Sequence, residues 1–449
     1  MNIKAGFQRL LPPKNLLPLL FSRTFDSIAG SVTGTFFAVW LNNELISSYT
    51  ILAIILTTPS ILSVIGTSLF SAFSDKTGKR KELMVLSRIA LMIQYLLLLL
   101  FQQSIWGIFS ILIIMGFVTQ VYYVMSDTLA TSICPVERRG EMTSYQLFFS
   151  AAGGMIGSGI ASSVYDHLTI TGSFGFGIGF AFLAGLFAFF STNFIKTSSD
   201  SSKASTELIE SNETQETENN EEISSTELIK QRVTDKDKST NYRSLFRNPQ
   251  LVWIFIVTAI LSFGVGPFGL IPIVYMEDIV GLTNLQVSIA GTLATLVGMI
   301  TLLIVGKSMD KVGRKPFFLF SHVFYPLYFA FYLFLGNYPL AIITLWVLPI
   351  YPFRGPATTA MVADLTEEKN RAKAMNVLLY VQSFSVNIGG IIGCVIADYT
   401  QIGLIIVPLF PAMVTIISAA IAYFTIKETK RKPAELQLID KTVKVKFRW

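Results

Sequence analysis

Residues 71–81 read SAFSDKTGKRK and residues 306–315 read GKSMDKVGRK, so this chain of 449 residues contains two copies of one short motif. Both fit the pattern G/S-x-x-x-D-K-x-G-[KR]-[KR], with Ser71 where the second copy has Gly306. Glycine permits a tight turn between two antiparallel helices, and lysines and arginines hold such a turn at the cytoplasmic face of a membrane. The motif therefore predicts the same cytoplasmic turn in each half of a membrane protein.

The composition also indicates a membrane protein. Hydrophobic residues make up 52% of the chain and charged residues 14%, with a mean hydropathy of +0.56, whereas a soluble domain has about 25% charged residues. Apolar windows of roughly 20 residues, long enough to cross a bilayer, recur along the chain. We predict an all-α integral membrane protein with twelve transmembrane helices, at about 15–41, 51–72, 83–101, 105–131, 142–164, 174–195, 249–276, 284–305, 316–335, 339–362, 374–397 and 402–426.

The loops on the two sides of these spans differ in charge. Lys and Arg are abundant in the loops on the side of the N-terminus and absent from the opposite loops, which lie near Asn43, Gln102, Asp166, Asp278, Asn337 and Tyr399. By the positive-inside rule, both termini lie in the cytoplasm. The formal charge of +6 is then an insertion signal of a cell-membrane protein, and no nucleic-acid partner is expected.

A polar segment divides the spans six and six. Residues 198–240 read SSDSSKASTELIESNETQETENNEEISSTELIKQRVTDKDKST, and such a composition cannot bury enough apolar surface to fold alone. We predict an N-terminal six-helix bundle at 1–195, a disordered cytoplasmic linker at 196–247, a C-terminal six-helix bundle at 248–427 and a cytoplasmic tail at 428–449. The linker is a plain tether or, alternatively, carries a phosphorylation or docking site.

A second repeated pattern supports a duplication. Residues 153–157 (GGMIG) in span 5 correspond to residues 389–393 (GGIIG) in span 11. Small residues at this spacing let helix backbones approach closely within a membrane. Parallel repeats of six spans build a binding site at the interface of the two halves.

With these repeats, the sequence resembles the major facilitator superfamily of secondary transporters. The turn residues carry the resemblance: Asp75, Gly78, Lys79 and Arg80 in the first copy, and Asp310, Gly313, Arg314 and Lys315 in the second. Residues 135–140 (PVERRG) are similar to the family's loop between helices 4 and 5. The resemblance implies two six-helix bundles working by alternating access, with spans 1, 4, 7 and 10 lining the cavity. It also implies that both turns form a cytoplasmic latch of the outward-open state.

Three features depart from that family's drug exporters. Ser71 replaces the leading glycine of the first turn. Residues 112–116 in span 4 are apolar where many proton-coupled exporters carry an arginine, and residues 157–159 read GSG where the antiporter signature has a Gly-Pro pair. Antiport is therefore expected only by default, because the sequence lacks the motifs that identify antiporters in this family.

Charged residues inside the spans are the first candidates for the functional site, because each costs about 2.5–3.5 kcal/mol unless it has a partner or a polar cavity. Arg23 and Asp26 share one face of span 1 at a spacing of i, i+3. Asp26, near mid-membrane, is a candidate proton carrier or counter-charge for a cationic substrate. The alternative is a static Arg23–Asp26 pair. Asp127 and Arg88 lie near the inner ends of spans 4 and 3, where they either contribute to the site or simply pair at the membrane boundary.

Span 10 contains a cation within a broken helix. Residues 349–356 read PIYPFRGP, and prolines interrupt helices, which inside membranes usually line cavities. Arg354 is expected to face the cavity opposite Asp26, unless it extends to the inner surface. Residues 263–269 (FGVGPFG) in span 7 are a hinge or a packing kink. The cavity-lining candidates are Gln120, Tyr122, Tyr123, Phe268 and Tyr275.

These residues predict a monomeric secondary transporter that moves a small molecule by alternating access, using an ion gradient, with protons as the expected coupling ion and lipid as its surroundings. The favoured function is efflux of amphiphilic or cationic compounds, and the alternative is symport of a sugar or other metabolite. A non-transporting receptor is less favoured because the external loops are short. No enzyme activity, cofactor or metal is expected, because the sequence has no G-x-x-x-x-G-K-[ST] loop and its two histidines and two cysteines have no metal-site spacing.

Overall fold

The computed structural model describes residues 16–133, 139–191 and 242–429. Within these ranges it does not describe the side chains of Asp75, Lys76, residues 131–144, residues 242–244, Leu303, Gly306, Lys307, Asp310, Tyr351, Pro352, Glu368, Lys369 and Ala372. The described part is helical and contains no β-strand. Its helices are α1 (Leu17–Gly34), α2 (Tyr49–Thr77), α3 (Arg80–Leu100), α4 (Ile105–Thr119), α5 (Val121–Ile133), α6 (Arg139–Phe190), α7 (Pro249–Leu270), α8 (Pro272–Asp278), α9 (Asn284–Val312), α10 (Lys315–Leu335), α11 (Pro339–Val347), α12 (Tyr351–Asp364), α13 (Glu368–Tyr399) and α14 (Ile406–Thr425). Short helical turns lie at Phe37–Trp40, Leu41–Leu45, Tyr242–Arg247 and Gly403–Ile405.

The all-α membrane fold predicted from the sequence is confirmed. In the described part of the chain, nine helical segments are long and apolar enough to cross a membrane. One of them, α6, contains predicted spans 5 and 6, which meet at a break at Thr169, where φ is 57° and ψ is −166°. Predicted span 10 is split at residues 348–350, between α11 and α12. The number of twelve membrane crossings and the cytoplasmic termini stay predictions, and the linker, apart from residues 242–247, lies outside the described residues.

Local sequence explains where the helices begin and end. The side chain of Ser48 accepts the backbone N–H of Ile51 and caps α2, while Thr283 and Gln286 form a reciprocal capping box at the start of α9. Gly78 ends α2 with a φ of 70°, a left-handed conformation that glycine adopts without steric cost. The predicted tight turn after α2 is therefore present.

Both glycine clusters pack helices closely, as predicted. A side chain added at Gly157 of α6 would come within 2.8 Å of the Ile28 carbonyl of α1. In the other half, a side chain at Gly389 of α13 would overlap the Phe263 carbonyl of α7. The two clusters thus make the same kind of contact at corresponding places in the two halves, with backbone against backbone.

The two halves meet through α2 against α13 and α6 against α9. Ser48, Tyr49 and Thr50 at the start of α2 bind Asp398 at the end of α13, and Asn284 binds Asp166 at 2.7 Å. We call the side of the protein that contains these contacts the Asp398 end, and the opposite side the Gly78 end. The sequence predicts that the Asp398 end is external. The hydrogen bonds between described residues of the two halves run from the Asp398 end as far as the Ser68–Tyr380 pair. The described contacts therefore close the protein at the Asp398 end.

Candidate functional site

The most deeply buried charges of the N-terminal half form an ion pair between α1 and α3. Arg88 Nη1 contacts Asp26 Oδ1, and the two side chains are 2% and 1% exposed. Arg88 Nη2 also donates a hydrogen bond to the Thr119 carbonyl at the end of α4. The guanidinium lies over the Tyr122 ring, 3.9 Å from its centroid. Arg88 thus joins α1, α3 and α5 at one point.

A second ion pair lies beside the first and is closer to solvent. Arg23 Nη2 is 3.2 Å from Asp127 Oδ1, and Asp127 is 56% exposed whereas Arg23 is 10% exposed. The Arg23 guanidinium lies 4.8 Å from the centroid of the Tyr123 ring. The two pairs form a charge cluster of two arginines and two aspartates, in which Asp26 is buried and Asp127 is exposed.

The pairing differs from both alternatives considered in the sequence. Arg23 does not pair with Asp26, and Arg88 does not pair with Asp127; each arginine binds the aspartate that the other was expected to bind. The reason is that the charged face of α1 lies between α3 and α5, so neighbouring helices supply nearer partners. Sequence reasoning underrated Arg88, which no spacing rule links to Asp26.

The cluster is incompletely hydrogen-bonded. Asp26 Oδ2, Arg88 Nε, Arg23 Nε and Arg23 Nη1 are buried and have no hydrogen-bond partner among the described residues. Buried polar groups are usually paired because desolvation without a partner is costly. The cluster therefore has one unused acceptor, Asp26 Oδ2, which is also an atom that can take up a proton, and three unused N–H donors.

The predicted cavity residues lie in different places. Phe268 lines a cavity of about 580 Å³ to which α1 and α6 of one half and α7, α9 and α10 of the other contribute. Tyr122 is buried inside the N-terminal half, where its hydroxyl contacts Ser22 at 2.8 Å. Tyr275 donates to the Tyr332 carbonyl at 3.3 Å. The exposed Gln120 stands between α4 and α5.

The wall of this cavity is largely aromatic on the C-terminal side. Tyr325, Tyr328 and Phe329 of α10 and Trp346 of α11 join Phe268 there. Sequence reasoning missed these four residues because aromatic residues are frequent throughout the chain, at 13%. The spacing of 325, 328 and 329 on one helical face was a usable signal.

Arg354 lies beside a second cavity, of about 630 Å³, formed by α7, α12 and α13. Its Nη2 donates to Ser262 Oγ at 2.6 Å, and the residue is 8% exposed. Val265 lines both cavities, so they lie on two sides of one residue of α7. The expectation that Arg354 extends to the membrane surface does not fit this burial.

The two turn motifs end helices at the Gly78 end, where Lys79 precedes α3 and Arg80 begins it. The side chains of Asp75 and Asp310, and most of the 135–140 motif, lie outside what the structure describes. In the second turn, Gly313 has a φ of 113°, and Arg314 Nη1 is 2.9 Å from Asp364 Oδ2.

The C-terminal segment completes the second turn. Glu428 accepts the backbone N–H groups of Arg314 and Lys315, both at 3.0 Å. The sequence did not indicate Glu428 or Asp364, because both are distant along the chain from the turn that they bind.

Comparison with known proteins identifies the family to which this chain belongs. A profile of the Major Facilitator Superfamily matches residues 19–355 and 266–444. Among curated proteins, none matches the sequence significantly.

Solved structures with a similar fold are transporters. A D-xylose–proton symporter is 14% identical, with 93% of this chain and 98% of that chain covered and a TM-score of 0.69. The inward-open xylose transporter XylE from E. coli is 13% identical, with 93% and 97% covered and a TM-score of 0.67. The nucleoside transporter NupG, as a point mutant, is 13% identical, with 92% and 100% covered and a TM-score of 0.71. The family profile extends over most of the sequence, and the chain therefore belongs to the major facilitator superfamily and is a multi-pass membrane transporter.

Proposed function

We propose that this protein is a proton-coupled exporter of amphiphilic small molecules in the cell membrane, working as a monomer by alternating access. The observation that carries the coupling is the Asp26–Arg88 ion pair, buried inside the N-terminal half beside a second pair whose aspartate, Asp127, is exposed. The observation that favours an amphiphilic substrate is the aromatic wall of the cavity between the halves.

Proton uptake by Asp26 would change the forces among three helices. A neutral Asp26 no longer forms an ion pair with Arg88, whose other contacts are the Thr119 carbonyl and the Tyr122 ring. Breaking a buried pair at one partner costs about 3–5 kcal/mol, enough to shift a two-state equilibrium strongly. Arg23, on the same helix as Asp26, and the exposed Asp127 of α5 offer the proton a route from the surface to Asp26.

Symport is the second candidate, because the structural relatives include a D-xylose–proton symporter. The two functions differ in the direction in which protons move when substrate enters a vesicle. In an exchanger, entry of substrate into a vesicle drives protons out, whereas in a symporter it brings protons in. This direction does not depend on the orientation of the protein in the vesicle.

The experiment uses the purified full chain in proteoliposomes that contain a pH-sensitive dye. Amphiphilic amines, amphiphilic carboxylates, sugars and nucleosides are added outside one at a time. We expect an amphiphilic compound to make the interior alkaline. Acidification by a sugar or nucleoside would support symport instead, and no proton movement with any compound would contradict proton coupling.

Matched variants test the role of Asp26. Asp26→Asn should abolish the compound-dependent pH change, while Glu82→Gln, which removes an exposed carboxylate from the first turn of α3, should keep it. Because Asp26→Asn leaves Arg88 unpaired and can destabilise the fold, the double variant Asp26→Asn/Arg88→Gln is measured as well. Wild-type proton movement in a folded Asp26 variant would remove Asp26 from the coupling role.

A further inference from the structure

The buried arginines of the two halves differ in their contact partners. In the N-terminal half, Arg23 and Arg88 each contact an aspartate. In the C-terminal half, Arg354 is more than nine-tenths buried, and its guanidinium has one described hydrogen bond, to the neutral hydroxyl of Ser262. The ion pairs among the described residues do not include Arg354. A buried cation without a carboxylate partner is costly, so an anion from outside the chain would be stabilised beside Arg354.

The surroundings of Arg354 have room for such a partner. The adjoining cavity of about 630 Å³ is lined by the side chains of Thr359, Gln382 and Ser383 as well as by apolar residues of α13. The Gln382 amide and the Ser383 hydroxyl can donate hydrogen bonds to an anion, whereas the Thr359 hydroxyl already donates to the Gly355 carbonyl at 3.0 Å, and none of the three brings a negative charge. An arginine fork matches the two oxygens of a carboxylate or the oxygens of a phosphate or sulfonate.

The second cavity adjoins the aromatic one at Val265. Val265 lines both, and the chain passes from Pro349 and Ile350 in the first to Arg354 and Gly355 in the second. A molecule that occupies both volumes would place an apolar body against Phe268 and Trp346 and a polar group at Arg354. The two cavities therefore match the two parts of one amphiphile.

We infer that the transported compound is an amphiphilic anion whose charged group binds Arg354. This inference rests on the proposed function and narrows its substrate class, replacing the cationic substrates that the sequence favoured. It also agrees with the state of Asp26, which is bound to Arg88 and not offered to a substrate cation.

The test compares three probes of one shape and different charge: phenylbutyrate, phenylbutanol and phenylbutylamine. Binding to the purified full chain is measured by quenching of tryptophan fluorescence, because Trp346 lines the aromatic cavity, and by the shift of the thermal unfolding temperature. We expect phenylbutyrate to bind most tightly. Arg354→Gln should weaken its binding about 10- to 100-fold, since a hydrogen bond to a charged group contributes that much, and should leave the neutral probe nearly unchanged.

Two control variants separate charge from structure. Arg354→Lys keeps the charge and should keep the preference for the anion with reduced affinity, whereas Arg371→Gln, at an exposed position of α13, should bind as the wild type does. The inference would be overturned if the three probes bind equally or if none of them binds. It would also be overturned if the preference for the anion survives in Arg354→Gln. Compound-driven proton movement in the dye-loaded vesicles would still stand in that case, so the two proposals fail separately.

Discussion

Removal of the charge of Asp398 should open the Asp398 end. Its carboxylate accepts three hydrogen bonds from the start of α2 in the other half: Ser48 Oγ at 2.6 Å, Tyr49 N at 2.9 Å and Thr50 N at 2.7 Å. Asp398→Asn preserves the size of the side chain but replaces one acceptor oxygen with an NH₂ group. That group faces N–H or O–H donors and cannot accept from them.

The size of the effect follows from these contacts. Loss of one hydrogen bond to a charged group costs about 1.5–3 kcal/mol, and loss of a negative charge at a helix N-terminus costs about 0.3–1 kcal/mol. The closed state should therefore lose about 2–4 kcal/mol relative to the open state, a shift of roughly 30- to 1000-fold in their equilibrium.

The assay is the distance between nitroxide labels on opposite halves, at His167 and Gln401, in a background without native cysteines. Both positions are exposed at the Asp398 end. In the wild type we expect one short distance, and in Asp398→Asn a substantial population at a longer distance. Asp278→Asn is the matched control, because Asp278 is exposed at the same end and binds no partner across the interface among the described residues. Identical distances in Asp398→Asn and the wild type would refute the view that this carboxylate holds the halves together.

Two further predictions concern stability. Gly389→Val should lower the thermal unfolding temperature and the yield of folded protein, because the new side chain would overlap the Phe263 carbonyl and overpacking costs about 1–3 kcal/mol. The control is Gly179→Val, because a side chain added at Gly179 would have no atom within 4 Å. Equal losses in both variants would contradict the packing argument. Glu428→Gln should destabilise the second turn by about 1 kcal/mol, since it removes a charged acceptor from two backbone N–H groups at the start of α10. Hydrogen exchange of the Arg314 amide measures this effect, and unchanged exchange would mean that the Glu428 charge does not hold the turn.

The sequence predicted the helical membrane fold well, because hydropathy, the repeated turn and the glycine clusters are local patterns. It also placed Arg23 and Asp26 on one helical face correctly. It could not assign their partners, because pairing depends on which helix packs beside that face, and Arg88 lies 62 positions from Asp26 in the chain. Periodicity along a helix carries no information of this kind.

The same limit applies to contacts between the halves. Asp398 appears in the sequence as an ordinary charge at the end of a span, yet its partner Ser48 is 350 residues away. Arg354 was singled out because three prolines and a cation in one span are unusual, and this chemistry is visible without the fold. The absence of a carboxylate beside it among the described residues required the positions of α7, α12 and α13.

The central claim is that a proton on Asp26 releases Arg88 and thereby moves the two halves. Its most direct test is the distance between labels at the exposed positions Thr77 of α2 and Arg371 of α13, at the Gly78 end, measured in liposomes from alkaline to acidic pH. The wild type should shift between two distances as the pH falls, and Asp26→Asn should show the acidic distance at every pH. A pH-dependent shift of wild-type size in Asp26→Asn would contradict the claim.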